Sequence, residues 1–212
     1  MRAAWYAEFG EAKDIFQTGE QDAPSAGDGE VLVRVHASGI NPLDVKRRAG
    51  LRGPMMGDMM IPHFDGAGVI EAVGAGVDAG RVGERVWLFE GHMRRANGTA
   101  AEYIALDATR ANLLPEGQGF AAGACLGIPA MTAHAAVFTD GPVDGQTILV
   151  TGAAGAVGNY AVQMARNGGA TVIGTVSSDE KAALALEDGA THTINYKTED
   201  VAARGRELTD GK

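Results

Sequence analysis

Apolar positions along the chain follow two rhythms. Up to about residue 118 they come as short runs broken by Gly, Pro and Asp: Val31-Leu32-Val33-Arg34-Val35, then Gly66-Ala67-Gly68-Val69-Ile70-Glu71-Ala72-Val73-Gly74, then Arg85-Val86-Trp87-Leu88-Phe89 and Ala101-Glu102-Tyr103-Ile104-Ala105. Runs of this length and spacing predict the strands of a small barrel or sandwich. One short helix is expected over residues 42–49, with Asn41 able to cap it and Pro42 suited to its first position.

Beyond Leu114-Pro115-Glu116-Gly117 the rhythm changes. Residues 120–138 are Ala-rich and read as mostly helical, with an interruption at Gly127-Ile128-Pro129. From Gln146 onward strand and helix patterns alternate: a strand 146–151, a helix 156–167, a strand 170–176, a helix 178–188 and a short strand 191–194. That order, βαβαβ, is the first half of a doubly wound sheet. The predicted organisation is therefore α/β plus β, in two domains, 1–118 and 119–212. A full dinucleotide fold has about six strands, so the second domain reads as an incomplete one. Its strand 146–151 would be an apolar exposed edge, which should pair or aggregate and leaves room for a homo-oligomer.

The densest chemical signal is Thr147-Ile148-Leu149-Val150-Thr151-Gly152-Ala153-Ala154-Gly155-Ala156-Val157-Gly158. It joins an apolar strand to a helix carrying Val157, Ala161, Met164 and Ala165 at helical spacing, and Gly168-Gly169 end that helix. A glycine turn at this junction aims unpaired backbone N–H groups and a helix dipole at a pyrophosphate. Ala153, Gly155, Ala156, Val157 and Gly158 are the expected phosphate contacts. An NAD site usually carries a carboxylate about 20 residues further on, for the ribose diol; here that position is Val176. Ser177, Ser178 and Lys181 follow, hydroxyl donors and a cation suited to a 2′-phosphate, so NADP(H) is the expected cofactor. Ser177 with Glu180 also reads as a capping box, and Asp179 and Glu180 would oppose the phosphate if they pointed inward.

Composition narrows the classes. Over 212 residues the net charge of −9 argues against nucleic acid or anionic membrane as a partner. Cys125 is the single cysteine, so neither an intramolecular disulfide nor a thiolate cluster can form. No apolar run approaches the ~20 residues of a membrane span, and the N-terminus lacks a signal-peptide core; a cytoplasmic location is expected. Neither G-x-S-x-G nor a P-loop occurs, which disfavours hydrolase and kinase readings.

With these residues in view the chain resembles the zinc-free quinone oxidoreductase (zeta-crystallin-like) branch of the medium-chain dehydrogenase/reductase superfamily. The markers are Gly39-Ile40-Asn41-Pro42-Leu43-Asp44, Asp65-Gly66-Ala67-Gly68-Val69-Ile70-Glu71-Ala72-Val73-Gly74, Gly83-Glu84-Arg85-Val86, Gly98-Thr99-Ala100-Ala101-Glu102-Tyr103, Gly127-Ile128-Pro129-Ala130-Met131-Thr132-Ala133 and the glycine turn, in that order. The resemblance implies a GroES-like barrel followed by a Rossmann domain, and hydride transfer from NADPH to a quinone or an enone-type double bond. It places Lys181 and Tyr196 at the 2′-phosphate with Ser177 and Ser178 adjacent, and Asn41 and Thr132 in the nicotinamide and substrate pocket. Lys46 stands where the family commonly has a tyrosine, and is a candidate source of charge or a proton.

The zinc-dependent relatives need Cys and His ligands. By the same resemblance Asn41, Phe64 and Ile128 occupy the three ligand positions, so no metal is expected; His63 lies one residue from the second. His36, His92, His134 and His192 show no ligand spacing and read as packing or surface residues. Asn41 has two readings, a donor to the substrate oxygen or simply the cap of its helix. The leading functional expectation is a zinc-independent NADPH:quinone or enone oxidoreductase. The competing readings are a truncated, inactive nucleotide-binding or interaction module, and a carbonyl- or alkene-reducing relative.

Overall fold

The computed structural model describes residues 1–211 and divides into two compact units, Met1–Ile128 and Pro129–Lys212. The first unit thus extends ten residues past the 118/119 division expected from the change in rhythm.

In the first unit, β1 (Arg2–Trp5) and β2 (Gln17–Glu20) form an antiparallel pair around the short α1 (Ala12–Ile15). The main sheet contains β3 (Glu30–Gly39), β4 (Asp65–Val73), β5 (Arg85–Leu88), β6 (Tyr103–Asp107) and β7 (Ala111–Leu113). They are antiparallel in the order β6-β3-β4-β5-β7. Val31, Val33, Ile70, Val86, Leu88, Ile104 and Leu106 build its core, the alternation that the apolar runs foretold. The four strands read from the sequence are β3 to β6; β1, β2 and β7 are too short to carry a pattern. α2 (Pro42–Arg48) starts where expected, with Asn41 at its N-cap and Pro42 at its first position.

The helical stretch breaks earlier than expected. α3 (Phe120–Gly123) stops, and α4 (Gly127–Phe138) then runs straight through Gly127-Ile128-Pro129. Pro129 falls in the first turn of α4, where a missing N–H costs no intrahelical bond; it opens the helix instead of interrupting it.

In the second unit, β8 (Thr147–Val150), α5 (Ala156–Asn167), β9 (Thr171–Val176), α6 (Asp179–Glu187) and β10 (His192–Asn195) form the βαβαβ unit with a parallel sheet ordered β10-β9-β8. Val150, Ala161, Val162, Ala165, Val172, Val176 and Ala185 make its core. α5 occupies residues 156–167, as read from its periodicity. β8 is an edge, with Leu149 half exposed. α7 (Val201–Leu208) was not anticipated: its sequence is polar, and it begins where Asp200 accepts from the Ala203 N–H at 2.9 Å.

Candidate functional site

The second unit carries the nucleotide side. Gly155 is the N-cap of α5 and supplies no side-chain cap. Asn159 N–H bonds the Gly155 carbonyl, so the N–H groups of Ala156, Val157 and Gly158 are those an α-helix leaves without intrahelical partners. Gly158 is required by close approach: a Cβ there would overlap the Gly152 carbonyl. The turn is held from the neighbouring strand, because Gly152 N–H donates to Thr175 Oγ1 at 3.1 Å and Ala153 N–H to the Thr175 carbonyl at 3.0 Å. Ala153 is therefore buried scaffold with its donor already used.

Gly152, Ala154, Gly155, Thr175, Val176, Ser177, Lys181 and Tyr196 line one cavity of about 170 Å³. Lys181 Nζ donates to Ser177 Oγ at 3.2 Å, and Tyr196 is half exposed. Four residues expected at the nucleotide thus converge, namely Gly155, Ser177, Lys181 and Tyr196. Val157 and Gly158 line a different cavity, with Thr151 and Ala161. Ser178 acts differently from the expected Ser177–Glu180 box: its Oγ accepts the Lys181 N–H at 3.3 Å and caps α6. Ser178 is extended immediately before the helix, so its hydroxyl reaches the third helical N–H while Ser177 stays available to Lys181. Asp179 and Glu180 are exposed and do not line this cavity.

The residues present fit an NADP(H). The turn offers backbone donors to a pyrophosphate, and the pocket beside it holds an ammonium and a hydroxyl. The second strand ends in buried Val176 instead of a diol-binding carboxylate.

The first unit carries the other candidates. Asn41 and Asp44 form a capping box in which Asn41 N–H donates to Asp44 Oδ2 at 2.7 Å. Asn41 Nδ2 donates to Asp65 Oδ2 at 2.8 Å, and the Ile128 N–H donates to the same oxygen at 2.8 Å. Asp65, wholly buried, therefore joins the start of α2 to the start of α4. Burial raises its pKa despite these two donors. Burial also raises Asp44 to about 6, against the lowering effect of the Asn41 N–H and with the nearby Asp65 charge adding to the rise. Phe64 is buried edge-on to His92, whose pKa falls to about 4 through burial and the Arg47 charge. Lys46 is exposed on α2, and Thr132 is exposed on α4.

Asn41, Phe64 and Ile128 thus present an amide, a phenyl ring and an alkyl chain at the positions the resemblance assigns to metal ligands. Among the described residues no group of three or more His, Cys, Asp or Glu could hold a metal ion.

Residues 27–116 match the model of the alcohol dehydrogenase GroES-like domain, and residues 156–212 that of the zinc-binding dehydrogenase family. A quinone oxidoreductase of Rattus norvegicus is 38% identical over 198 residues, covering 93% of this chain and 59% of the relative. The chain belongs to the quinone oxidoreductase branch of the medium-chain dehydrogenase/reductase superfamily. It spans about 59% of the length of that curated relative. An Escherichia coli quinone oxidoreductase solved in complex with NADPH superposes with a TM-score of 0.86 at 29% identity, covering all of this chain and 64% of that one. An NAD-dependent alcohol dehydrogenase gives 0.92 at 30% identity, with coverages of 100% and 68%. The fold is accordingly a GroES-like domain together with a Rossmann-type sheet of parallel strands.

Asp65 is the residue that sequence reasoning missed. It stands at the head of a quoted motif, yet its partners lie 24 and 63 positions away. The one local signal is a carboxylate opening an otherwise apolar, glycine-rich strand.

Proposed function

We propose that this member of the quinone oxidoreductase branch binds NADP(H) and passes hydride to a quinone or an activated enone double bond without zinc. The observation that carries the cofactor assignment is the cavity in which Lys181, Ser177 and Tyr196 meet beside the first turn of α5. An ammonium with a hydroxyl suits a phosphate monoester, and no carboxylate stands at the end of β9 to take a 2′,3′-diol. The NADPH complex of the Escherichia coli relative supports this reading; the NAD-dependent neighbour makes Lys181 the discriminating residue.

Absence of zinc is inferred from donor chemistry. The side chains of Asn41, Phe64 and Ile128 include none of the thiolate, imidazole or carboxylate donors that zinc takes. NADPH, when bound, supplies the hydride; the chain's own groups bind its phosphates, orient it and handle the proton. Asn41 and Thr132 are proposed to face the nicotinamide and substrate, and Lys46 to contribute positive charge nearby.

The test is steady-state NADPH oxidation with 1,4-benzoquinone or an enone, alongside NADPH titration followed by fluorescence. Turnover in a preparation treated with a chelator supports the proposal. NADPH binding with no turnover for either acceptor class would instead identify a nucleotide-binding module.

A further inference from the structure

β8 is an edge of the parallel sheet, and among the described residues no strand pairs with it on the side away from β9. The Thr171 N–H donates to the Gln146 carbonyl at 2.8 Å, which turns the Gln146 carbonyl towards β9. Backbone groups alternate sides along a strand. Ile148 and Val150 therefore also serve β9, while the N–H and C=O groups of Thr147 and Leu149 point to the open side. Natural edges are commonly blunted by a charge, a proline or a bulge. This one carries none: no charged residue and no proline occurs from Gly145 to Ala165, and β8 pairs with β9 without a register shift. The nearest charge in sequence, Asp144, keeps its carboxylate against Gly169, just before β9.

Thr147-Ile148-Leu149-Val150-Thr151 presents the same classes of side chain read in either direction, with Leu149 at its centre. Antiparallel pairing of two copies about a two-fold axis at Leu149 thus matches Leu149 with Leu149, Ile148 with Val150, and Thr147 with Thr151. The two Leu149 residues exchange both backbone bonds, since those groups already point outward. Cross-strand pairs of β-branched chains and of threonines are favourable ones. An axis one residue earlier would set Leu149 against Thr147 and Val150 against Gln146, and would centre on Ile148, whose backbone groups are taken by β9. The pattern therefore selects one register. Charge agrees with it. Each copy carries −9 overall, and the uncharged stretch is where two of them can approach. Asp144 would lie opposite Ala154 of the second copy, away from any like charge.

A stable dimer covers roughly 800 Å² of each partner, more than five paired residues supply. Both faces of the sheet beside β8 offer the remainder. A cleft of about 410 Å³ on one face has Ala136, Ile148, Val150 and Val157 in its lining, and one of about 950 Å³ on the other has Thr147, Ile173, Ala202 and Leu208. Leu149 lines both and is 49% exposed. Asp140 lines the smaller cleft, and the larger carries one charge of each sign, Arg206 and Asp210. We infer that β8 is a docking edge for a second copy of this chain, joined antiparallel through Leu149. Two three-stranded sheets then become one of six strands, ordered β10-β9-β8-β8-β9-β10. The pairing is isologous and closes on itself, leaving neither copy a free β8. It uses the second unit alone and is independent of cofactor and substrate.

Sedimentation velocity of the full 212-residue chain over a dilution series should show a monomer–dimer equilibrium. Leu149→Lys sets a charge on both copies at the two-fold axis, and the dissociation constant should rise about a hundredfold, the scale of a central interface residue. Circular dichroism checks that the variant keeps its fold. An unsubstituted chain that stays monomeric throughout would leave the edge to a strand of some other protein and overturn the inference. A dimer indifferent to Leu149→Lys, or species larger than a dimer, would do the same. Register is tested separately, in a chain whose one cysteine is removed by Cys125→Ser. Leu149→Cys should cross-link two copies on mild oxidation, because residues paired in this way stand ~5.5 Å apart at Cα, within reach of a disulfide. Thr147→Cys should link to Thr151→Cys in a mixture and not to itself. Self-linking of Thr147→Cys at the rate of Leu149→Cys would move the axis off Leu149 and overturn the pairing.

Discussion

Lys181 reaches back four residues to donate from Nζ to Ser177 Oγ at 3.2 Å. The contact crosses the first turn of α6 and holds an ammonium at the rim of the pocket that contains Val176 and Tyr196. Charge and hydroxyl are thus arranged as a pair before any phosphate arrives.

Lys181→Ala should therefore weaken NADPH by about tenfold to a hundredfold, the range for hydrogen bonds to charged groups, while NADH changes little. Parallel fluorescence titrations of both nucleotides measure this. Equal losses would remove the 2′-phosphate from the site.

Gly158→Ala forces a methyl into the Gly152 carbonyl oxygen. Both atoms sit on backbone, so neither can rotate away, and a loss of about 1–3 kcal/mol is expected. Urea unfolding would report the stability term. NADPH titration of the folded fraction should show a second defect, because the same shift distorts the donors of Ala156 and Val157.

Asp44 and His92 oppose each other in pH dependence. Asp44 is raised to about 6 in the fold, so between its ordinary value and 6 the folded chain binds more protons than the unfolded one, and stability falls as pH rises. His92 is lowered to about 4, so from there up to its ordinary value the unfolded chain binds more protons and stability rises with pH. Asp44→Asn removes only the first contribution. Its urea midpoint should climb more steeply from pH 4 to 6 than that of the unsubstituted chain. A slope that is unchanged or shallower would mean that Asp44 ionises normally.

Asn41→Asp sets a second carboxylate where Nδ2 now donates to Asp65. Like charges at hydrogen-bond distance in a buried site cannot both ionise comfortably. A destabilisation of about 2–4 kcal/mol at pH 7 is expected, from the lost donor and the repulsion together, and it should shrink on acidification to pH 5. Denaturation curves at the two pH values decide it.

What could be read from the sequence was what is local. The spacing of Val157, Ala161 and Ala165 gave α5 its limits, and Asn41-Pro42 gave α2 its start, because caps and periodicity act over a few residues. Pro129 misled for the same reason: a proline signals a break only when its position within the helix is known, and that depends on where Gly127 begins it. Ser177 and Ser178 are adjacent hydroxyls with interchangeable local prospects, and only the backbone direction decided which one caps α6. Asp65 lay beyond such reasoning, since Asn41, Thr99 and Ile128 converge on it through the fold.

Thr175 holds the glycine turn with its hydroxyl and its carbonyl, and the next two residues, Val176 and Ser177, line the proposed 2′-phosphate pocket. On the proposed reading, three consecutive residues of one strand end would set both the grip on the pyrophosphate and the choice between nucleotides. Selectivity here has no separate adjustment screw. A redesign toward NADH that moves the backbone at Val176 or Ser177 would carry Thr175 with it, and would loosen the hold on either nucleotide before it exchanged one for the other.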